Sequence, residues 1–160
     1  MMSSNVLAKK CVKRLKKYEL VIATAESLTG GMIAKEIVDI PGASNVFEEG
    51  FVTYSNYAKA KNLLVDAVTI AECGVVSKEV ASQMAKGALK VADSDIALAT
   101  TGVAGPDSDE FGTKVGTVYI ACATRERVFV REYHFRGNRD KIRRQATDSA
   151  FKLLLDVLKR

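Results

Sequence analysis

The sequence has a single histidine, His134, and only three cysteines in its 160 residues. His134 lies inside a predicted strand, away from the loops where strands end, so we expect a structural role for it and disfavour a Ser-His-Asp relay. Cys11, Cys73 and Cys122 are widely spaced, with no CxxC pattern and no histidine nearby. Their spacing predicts reduced thiols and argues against both a disulfide framework and a zinc site.

Long apolar runs are also missing. No apolar stretch approaches the roughly 18 residues that a transmembrane helix needs. The first twenty residues carry basic residues at helical spacing, but they show no apolar core with a small-residue cleavage site and no lipidation motif. We therefore expect a cytoplasmic protein. The chain length and an apolar content of 48% predict a single globular domain over residues 1–160.

The net charge of +5 is unevenly distributed along the chain. Residues 1–17 contain six Lys or Arg and no acid, residues 136–160 contain eight against three acids, and the stretch between them carries −6. Such a separation is found on some nucleic-acid faces. However, these charges lie on the polar sides of two amphipathic helices without interleaved aromatic residues. We predict solvated helix faces and no nucleic-acid partner, with a phosphate-bearing small ligand as the open alternative.

The apolar pattern predicts an α/β fold. Apolar runs of strand length indicate five strands, and helical periodicity with capping residues indicates the helices between them. The predicted strands cover residues 19–25, 47–55, 95–102, 117–124 and 127–135. The predicted helices cover residues 4–17, 27–40, 56–65 and 139–159, with a helical turn at 67–72 and a further helix capped by Ser77. Either Ser55 or Asn56 is predicted to be the N-cap of the helix at 56–65. This alternation places helices on both faces of a mixed sheet.

The stretch LVIATAESLTGG, residues 20–31, changes from a buried strand to polar residues and two glycines. Ligand sites in α/β sheets lie beyond the carboxyl ends of strands, which makes Ser27 a candidate nucleophile. If a helix begins near Ser27, its free N–H groups would stabilise a developing oxyanion. Gly30 and Gly31 would let a substrate approach the backbone. In the inert alternative, Ser27 is a simple N-cap and the glycines allow tight helix-on-sheet contact.

A serine nucleophile needs a base, and lysine can serve if its pKa falls from about 10.4 toward neutrality. Lys59 is the best placed lysine, in the first turn of the helix after the second strand, where the helix N-terminus and burial would both lower its pKa. Tyr54, at the end of that strand, could pass on a proton or orient the pair. Lys61 would point away from Lys59. The alternative is that Lys59 is an ordinary surface lysine.

The loop TTGVAGP after the third strand offers further contacts to a ligand. Its threonines, glycines and exposed N–H groups suit a carbonyl, a ribose or a phosphate, although its spacing matches neither of the common phosphate-binding glycine motifs. Thr101, Gly102 and Gly105 are its candidate binding residues. An ordinary turn would explain the same pattern equally well.

Five segments, in order, resemble a known family. They are TAESLTGG, GFVTYSNYAKAKNLL, TTGVAGP, VGTVYIA and GNRDKIRRQATDSAFKLL, and together they span nearly the whole chain. The chain resembles the CinA C-terminal domain family, whose characterised members are nicotinamide-nucleotide amidohydrolases. The resemblance implies a three-layer α/β/α sandwich around a mixed, mostly parallel five-stranded sheet. It also implies a homo-oligomer, in the stand-alone form that lacks the molybdopterin-binding-like domain of longer relatives.

The activity implied by the resemblance is hydrolysis of nicotinamide mononucleotide to nicotinate mononucleotide and ammonia. It would need no metal or organic cofactor, and the partner would be a small pyridine nucleotide, with no membrane involved. The family's serine nucleophile matches Ser27, and the tyrosine and lysine that assist it match Tyr54 and Lys59. The implied site is therefore a Ser-Lys pair assisted by tyrosine.

Substrate contacts follow from the same mechanism. The N–H groups around Leu28, Thr29 and Gly30 would hold the tetrahedral oxyanion. Thr29 and the loop of residues 101–105 would contact the amide or the ribose. Arg139 would bind the 5′-phosphate, because a guanidinium matches phosphate geometry.

The sequence leaves alternatives open for the phosphate-binding arginine and for the function. Arg143 and Arg144 compete with Arg139 for the phosphate, and a solvated helix face would explain all three. The loop DSDEFGTKVG is acidic and lacks a proline that family members often have, so its rigidity or substrate preference could differ. A non-catalytic nucleotide-binding module would use the same pocket with Ser27 as a cap. A DNA-associated competence factor is suggested by the family's name and the basic terminal helices.

Overall fold

The computed structural model describes residues 3–159 as an α/β fold built on one five-stranded sheet. Residues 1, 2 and 160, which the predicted domain includes, lie outside the described residues. In chain order the strands are β1 (Ile22–Glu26), β2 (Phe47–Val52), β3 (Ile96–Gly102), β4 (Thr117–Thr124) and β5 (Val128–His134).

The strand order in the sheet is β2-β1-β3-β4-β5. Strand β1 is parallel to both β2 and β3, whereas β4 is antiparallel to both β3 and β5. Four strands therefore run in one direction and β4 opposes them. This confirms the expected mixed, mostly parallel sheet, although the parallel and antiparallel pairings are equal in number.

Helices cover both faces of the sheet and complete the expected three-layer α/β/α sandwich. Residues of α1, α2 and α6 share one hydrophobic core with the sheet, and residues of α3, α4 and α5 share the other. None of the helices within residues 3–159 is both long and apolar enough to cross a membrane. The helices are α1 (Ser4–Lys17), α2 (Met32–Val38), α3 (Asn56–Leu63), α4 (Ala67–Cys73), α5 (Lys78–Val91) and α6 (Arg139–Val157), with a short 3-10 helix at Ala43–Asn45.

The two cores differ in the size of the side chains that the sheet presents. Successive residues of a strand point to opposite faces, so Leu98 packs under α1 and α6 while Ala97 and Ala99 face α5. On the α5 side, the buried apolar residues of the sheet are all alanines, and α5 also presents mainly alanines. Small side chains on both surfaces allow the helix backbone to approach the sheet closely.

The position of α3 depends on a close crossing with α5. A Cβ atom built on Gly87 would lie 1.7 Å from the carbonyl oxygen of Leu63, the last residue of α3. Any side chain at this position would therefore displace α3 or α5. Because α3 carries Lys59, the crossing also fixes where that lysine enters the interior.

Most predicted elements are present, with two corrections around β1. The strand starts at Ile22 rather than at residue 19, and the next helix starts at Met32 rather than near Ser27. The predicted N-caps are confirmed: the side chain of Ser55 accepts from the N–H of Ala58, and Ser77 caps α5 in the same manner. The delayed start of α2 leaves residues 27–31 as a turn at the carboxyl end of β1.

Candidate active site

The candidate site lies where three parallel strands end side by side. Ser27 follows the last residue of β1, and its N–H donates to the carbonyl oxygen of Thr100 in β3 at 3.1 Å. On the other side, the N–H of Thr53 donates to the carbonyl oxygen of Glu26 at 2.9 Å. The sheet ladder therefore continues past the strand ends and holds Ser27 between the chains that leave β2 and β3. This is the edge of an α/β sheet where ligands bind.

Lys59 reaches Ser27 from the first turn of α3. Its Nζ lies 3.0 Å from Ser27 Oγ, and it donates to the carbonyl oxygens of Thr53 at 2.8 Å and Tyr54 at 3.4 Å. Lys59 is fully buried and Ser27 is 7% exposed. Burial lowers the pKa of Lys59 from 10.5 to about 8, because the charged ammonium group loses its hydration. The surface-lysine alternative for Lys59 is therefore wrong.

The hydrogen bonds around Lys59 can be satisfied in either protonation state. The ammonium form can donate to all three oxygens, and the neutral amine can donate to the two carbonyl oxygens and offer its lone pair to the Ser27 hydroxyl. In that state the Ser27 hydroxyl donates to Nζ, as a nucleophile does to its base. Within residues 3–159, no carboxylate forms an ion pair with Lys59 that would favour the charged form.

Residues 27–31 form a turn that requires glycine at its end. Gly30 and Gly31 have φ angles of +56° and +96°, in the left-handed region that other residues rarely adopt. The N–H of Gly30 donates to the carbonyl oxygen of Ser27 at 3.1 Å. The predicted use of this N–H as an oxyanion donor is therefore wrong. So is the alternative role of Ser27 as a helix N-cap, since Gly31 occupies that position for α2.

Glu26 occupies the N-terminus of α2, a role that the sequence analysis missed. Its carboxylate accepts from the N–H groups of Gly31 and Ile33 at 3.1 Å and from Ala34 at 2.8 Å, and the residue is fully buried. The carboxylate therefore uses the donors and the positive end of the helix dipole that had been expected to face a substrate. An acidic residue just before a Ser-x-Thr-Gly-Gly turn was the available signal.

The N–H groups of Leu28 and Thr29 are the remaining donors in the turn. Neither N–H donates to another group of the described residues. The carbonyl oxygens of the same two residues accept from Arg143 of α6, at 2.8 Å and 3.3 Å. Thr29 is fully buried and its hydroxyl bonds Thr100 Oγ1 at 2.8 Å, so its expected contact with the amide or the ribose is wrong.

The loop after β3 forms the opposite wall. Thr101 Oγ1 donates to the carbonyl oxygen of Val75 at 2.8 Å, which ties β3 to the segment before α5. The carbonyl oxygen of Gly105 accepts from Arg139 Nη1 at 2.6 Å, and Arg139 Nη2 donates to the Tyr54 hydroxyl at 2.8 Å. The Tyr54 hydroxyl thus contacts Arg139, whereas the Tyr54 main chain contacts Lys59.

The three candidate arginines have different surroundings. Arg139 lines the cavity with Ser27 and Lys59. Arg143 is directed at the turn carbonyls, and Arg144 forms a surface ion pair with Asp140 at 2.7 Å. Only Arg139 of the three therefore faces the space where a ligand would lie.

These elements enclose a cavity of about 250 Å³. Among the predicted site residues, Thr29 and Gly30 do not line it. Within residues 3–159, no group of three or more His, Cys, Asp or Glu side chains is arranged to hold a metal ion. The predicted residues that line the cavity are Ser27, Leu28, Tyr54, Lys59, Thr101, Gly102, Gly105 and Arg139. Lining residues that the sequence analysis did not identify are Asn56, Val75, Val76, Asp107, Ser108 and Asp109.

Three known proteins show how similar this chain is to others. It is 47% identical to the nicotinamide-nucleotide amidohydrolase PncC of Escherichia coli K12, over 92% of this chain and 90% of that protein. It is 52% identical to a CinA-like protein of Geobacter sulfurreducens over 78% of this chain. The crystal structure of a CinA superfamily protein from Escherichia coli superimposes with a TM-score of 0.95 at 33% identity, covering 97% of this chain and 90% of that one.

The relatives differ in length. This chain spans 30% of the Geobacter protein and 34 or 35% of three other curated relatives, but nine-tenths of the amidohydrolase. Residues 4–158 match the family described as the CinA C-terminal domain. The match covers almost all of the described residues, including the turn, the buried lysine and the loop after β3. The chain therefore belongs to the CinA C-terminal domain family.

Proposed function

We propose that this protein hydrolyses the carboxamide of nicotinamide mononucleotide, with Ser27 as nucleophile and Lys59 as base. The observation that carries the proposal is the 3.0 Å contact between Ser27 Oγ and a fully buried lysine whose pKa is lowered to about 8. The relative from Escherichia coli K12, which this chain matches along nearly its whole length, is named for that activity.

In the first step, the neutral amine of Lys59 takes the hydroxyl proton as Ser27 Oγ bonds to the carboxamide carbon. The carbonyl oxygen becomes an oxyanion, and the N–H group of Leu28, which lines the cavity, is our candidate to stabilise it. A single such donor contributes about 3–4 kcal/mol where it has been removed from other enzymes. The intermediate collapses as its C–N bond breaks, and the ammonium form of Lys59 returns the proton to the departing nitrogen.

The second half repeats the same proton transfers with water. Ammonia leaves and an ester joins Ser27 to the nicotinoyl group. Lys59 takes a proton from water as the oxygen attacks the ester carbon, and it returns that proton to Ser27 Oγ when the ester breaks. The products are nicotinate mononucleotide and free enzyme. The positive charge on the pyridinium ring makes this amide more electrophilic than an ordinary one, which suits a two-residue catalytic pair.

The rest of the nucleotide would lie along the wall formed by Tyr54, the loop of residues 101–105 and Arg139. Arg139 is our candidate for the 5′-phosphate, because it lines the cavity and its guanidinium matches phosphate geometry. It also lies in the first turn of α6, where the helix N-terminus attracts anions. Thr101, Gly102 and Gly105 are our candidates for contacts to the ribose or the amide. A homo-oligomer and a cytoplasmic location remain predictions.

The proposal is tested by ammonia release from nicotinamide mononucleotide, with chromatography of the nucleotide product. Replacing Ser27 by alanine should reduce turnover by at least about 10³-fold without changing the thermal unfolding midpoint. Ser44→Ala, an exposed serine outside the cavity, is the matched control and should keep full activity. Wild-type turnover by the Ser27→Ala protein would refute the serine mechanism. Tight binding of the nucleotide by wild-type protein without ammonia release would instead indicate a binding module.

A further inference from the structure

Charges of both signs line the candidate cavity without pairing with each other. Asp107 and Asp109 lie on the wall that follows Gly105, and Arg139 lines the same cavity. The guanidinium of Arg139 donates to the Gly105 carbonyl oxygen at 2.6 Å and to the Tyr54 hydroxyl at 2.8 Å. Within residues 3–159, no ion pair joins Arg139 to either carboxylate. The cavity therefore keeps separate negative and positive groups on its walls.

The protein leaves hydrogen-bonding capacity on both carboxylates. Asp107 is exposed and forms no hydrogen bond or ion pair with the rest of the described chain. Asp109 Oδ1 accepts from the N–H groups of Phe111 and Thr113, at 3.1 Å and 2.8 Å, and these bonds fold the loop. Asp109 Oδ2 is buried and has no hydrogen-bond partner among residues 3–159. A buried carboxylate oxygen without a partner is costly, and a cationic ligand nearby would offset that cost.

The proposed chemistry brings a positively charged ring into this cavity. Ser27 Oγ must approach the carboxamide carbon to within about 3–3.5 Å before it can react. That carbon is bonded directly to the pyridinium ring, so the ring must lie beside Ser27. Asp107 and Asp109 line the same space of about 250 Å³. Because a charge acts over several ångströms, the two carboxylates attract the ring without needing direct contact with it.

Without these two carboxylates, the charges on the cavity wall would repel a cationic ring. Arg139 is permanently charged, and Lys59, with a pKa of about 8, is mostly an ammonium group at pH 7. The carboxylate of Glu26 is bonded to three N–H groups of α2, and Glu26 does not line the cavity. In the described part of the chain, Asp107 and Asp109 are therefore the acids that face the ligand.

We propose that Asp107 and Asp109 are specificity-determining residues, which select nucleotides with a cationic pyridinium ring over nucleotides with a neutral ring. The inference rests on the proposed amidohydrolase activity and specifies the substrate class of that site. Arg139, our candidate for the phosphate, would hold the anionic end of the same substrate. The cavity would then match both ends of a zwitterion. The two acids take no part in proton transfer, so they should affect binding more than the chemical step.

The test measures equilibrium binding in the Ser27→Ala protein, which turns over too slowly to consume the ligand. The two ligands are nicotinamide mononucleotide and benzamide riboside 5′-monophosphate, which has nearly the same shape but a neutral ring. Replacing both Asp107 and Asp109 by asparagine should weaken binding of the cationic nucleotide by about 5- to 20-fold. Binding of the neutral nucleotide should change by less than about two-fold. Calorimetry measures both affinities.

The substitutions are chosen to remove charge and keep the loop. Asparagine at position 109 retains an oxygen that accepts from Phe111 and Thr113, so the loop should stay folded. Glu110→Gln is the matched control, because Glu110 is an exposed acid of the same loop that does not line the cavity. It should leave both affinities unchanged. With Ser27 restored, the double asparagine variant should raise KM for nicotinamide mononucleotide by a similar factor and change kcat by less than about three-fold.

The outcomes distinguish the two proposals. Wild-type protein that releases no ammonia from nicotinamide mononucleotide would refute the proposed function itself. An active wild type, together with an unchanged ratio of the two affinities in the double variant, would refute ring recognition alone. Equal weakening of both nucleotides would also refute it, since that result indicates general damage to the cavity. If the double variant does not fold, Asp107→Asn, at an exposed position, carries the same measurements.

Discussion

Glu26 and Lys59 are both fully buried and both adjoin Ser27, Glu26 through the chain and Lys59 through a hydrogen bond. Their surroundings are opposite in kind. The Glu26 carboxylate accepts from three main-chain N–H groups at the start of a helix, so its charged form is satisfied. The Lys59 amine contacts two carbonyl oxygens and a hydroxyl, and none of the described carboxylates forms an ion pair with it.

The difference shows how the same degree of burial can serve structure or chemistry. A buried charge whose hydrogen bonds are all made by donors of the complementary kind stabilises the fold. A buried amine with only neutral partners lies close to its deprotonated state, because burial penalises the ammonium form. Such a group is available as a base near neutral pH, and sites of this kind are often functional.

The largest expected effect comes from removing the buried amine of Lys59. Lys59→Met should reduce kcat/KM for nicotinamide mononucleotide by about 10³- to 10⁴-fold, because the Ser27 proton would have no acceptor. The fold should persist, since methionine fills a similar volume without a buried amine. Ammonia release and thermal unfolding measure the two properties. Lys61→Met, at an exposed lysine of the same helix, is the control, and full activity in the Lys59 variant would require another base.

The second prediction concerns stability as a function of pH. The pKa of Lys59 is about 8 in the folded state against 10.5 in the unfolded chain, so between these values the unfolded state binds more protons. Lys59 therefore destabilises the fold fully below about pH 8, and this cost disappears as the pH rises toward 10.5. Lys59→Met has no such titration. Between about pH 7 and 10, the stability of wild type should gain about 2–3 kcal/mol relative to Lys59→Met.

Urea unfolding of both proteins at the two pH values measures that difference, and other titrating groups cancel in the comparison. A constant difference in the free energy of unfolding would mean that Lys59 keeps an ordinary pKa. Almost none of the amine would then be in the neutral form that the proposed base requires at neutral pH, and the contrast with Glu26 would be lost.

The third prediction concerns the Glu26 carboxylate. Replacing it should lower the free energy of unfolding, whereas replacing Lys59 should raise it. Glu26→Gln should lower the free energy of unfolding by about 2 kcal/mol, because the amide has no charge for the helix N-terminus and turns an N–H₂ group toward N–H donors. The loss of activity per folded molecule should be smaller than for Lys59→Met. Urea unfolding measures it, with the exposed Glu49→Gln as control. Unchanged stability would show that the carboxylate does not hold the turn.

Local patterns were sufficient to predict most elements of the fold and to single out Ser27 and Lys59 as candidates, but the family resemblance was needed to prefer them over an N-cap and a surface lysine. The caps at Ser55 and Ser77 and the strand-end position of Ser27 all depend on residues close in sequence. The placement of Lys59 in the first turn of α3 followed from that cap. The three-layer arrangement required the family resemblance, because layer order depends on contacts between distant elements.

The incorrect predictions for the residues around Ser27 have a common physical origin. Glycines with positive φ extend the turn to Gly31, so the helix starts at Met32 and not at Ser27. Glu26 then caps the helix through contacts that span five to eight residues across this turn. The hydrogen bond from Arg143 to the Leu28 carbonyl joins residues 115 apart in the chain, which no local pattern can indicate.

A third charged residue of the cavity extends the comparison to an exposed group. Arg139 is exposed, and its guanidinium donates to the Gly105 carbonyl and the Tyr54 hydroxyl; no carboxylate among residues 3–159 forms an ion pair with it. Arg139→Met should raise KM for nicotinamide mononucleotide by about 10- to 100-fold and leave kcat nearly unchanged, since a phosphate would lose a charge-assisted contact. Kinetics with nicotinamide riboside, which lacks the phosphate, should differ little between wild type and the variant, and Arg144→Met is the control. An equal loss on both substrates would place Arg139 at the ring or ribose, and the exposed charge would then act on the same part of the substrate as the buried pair.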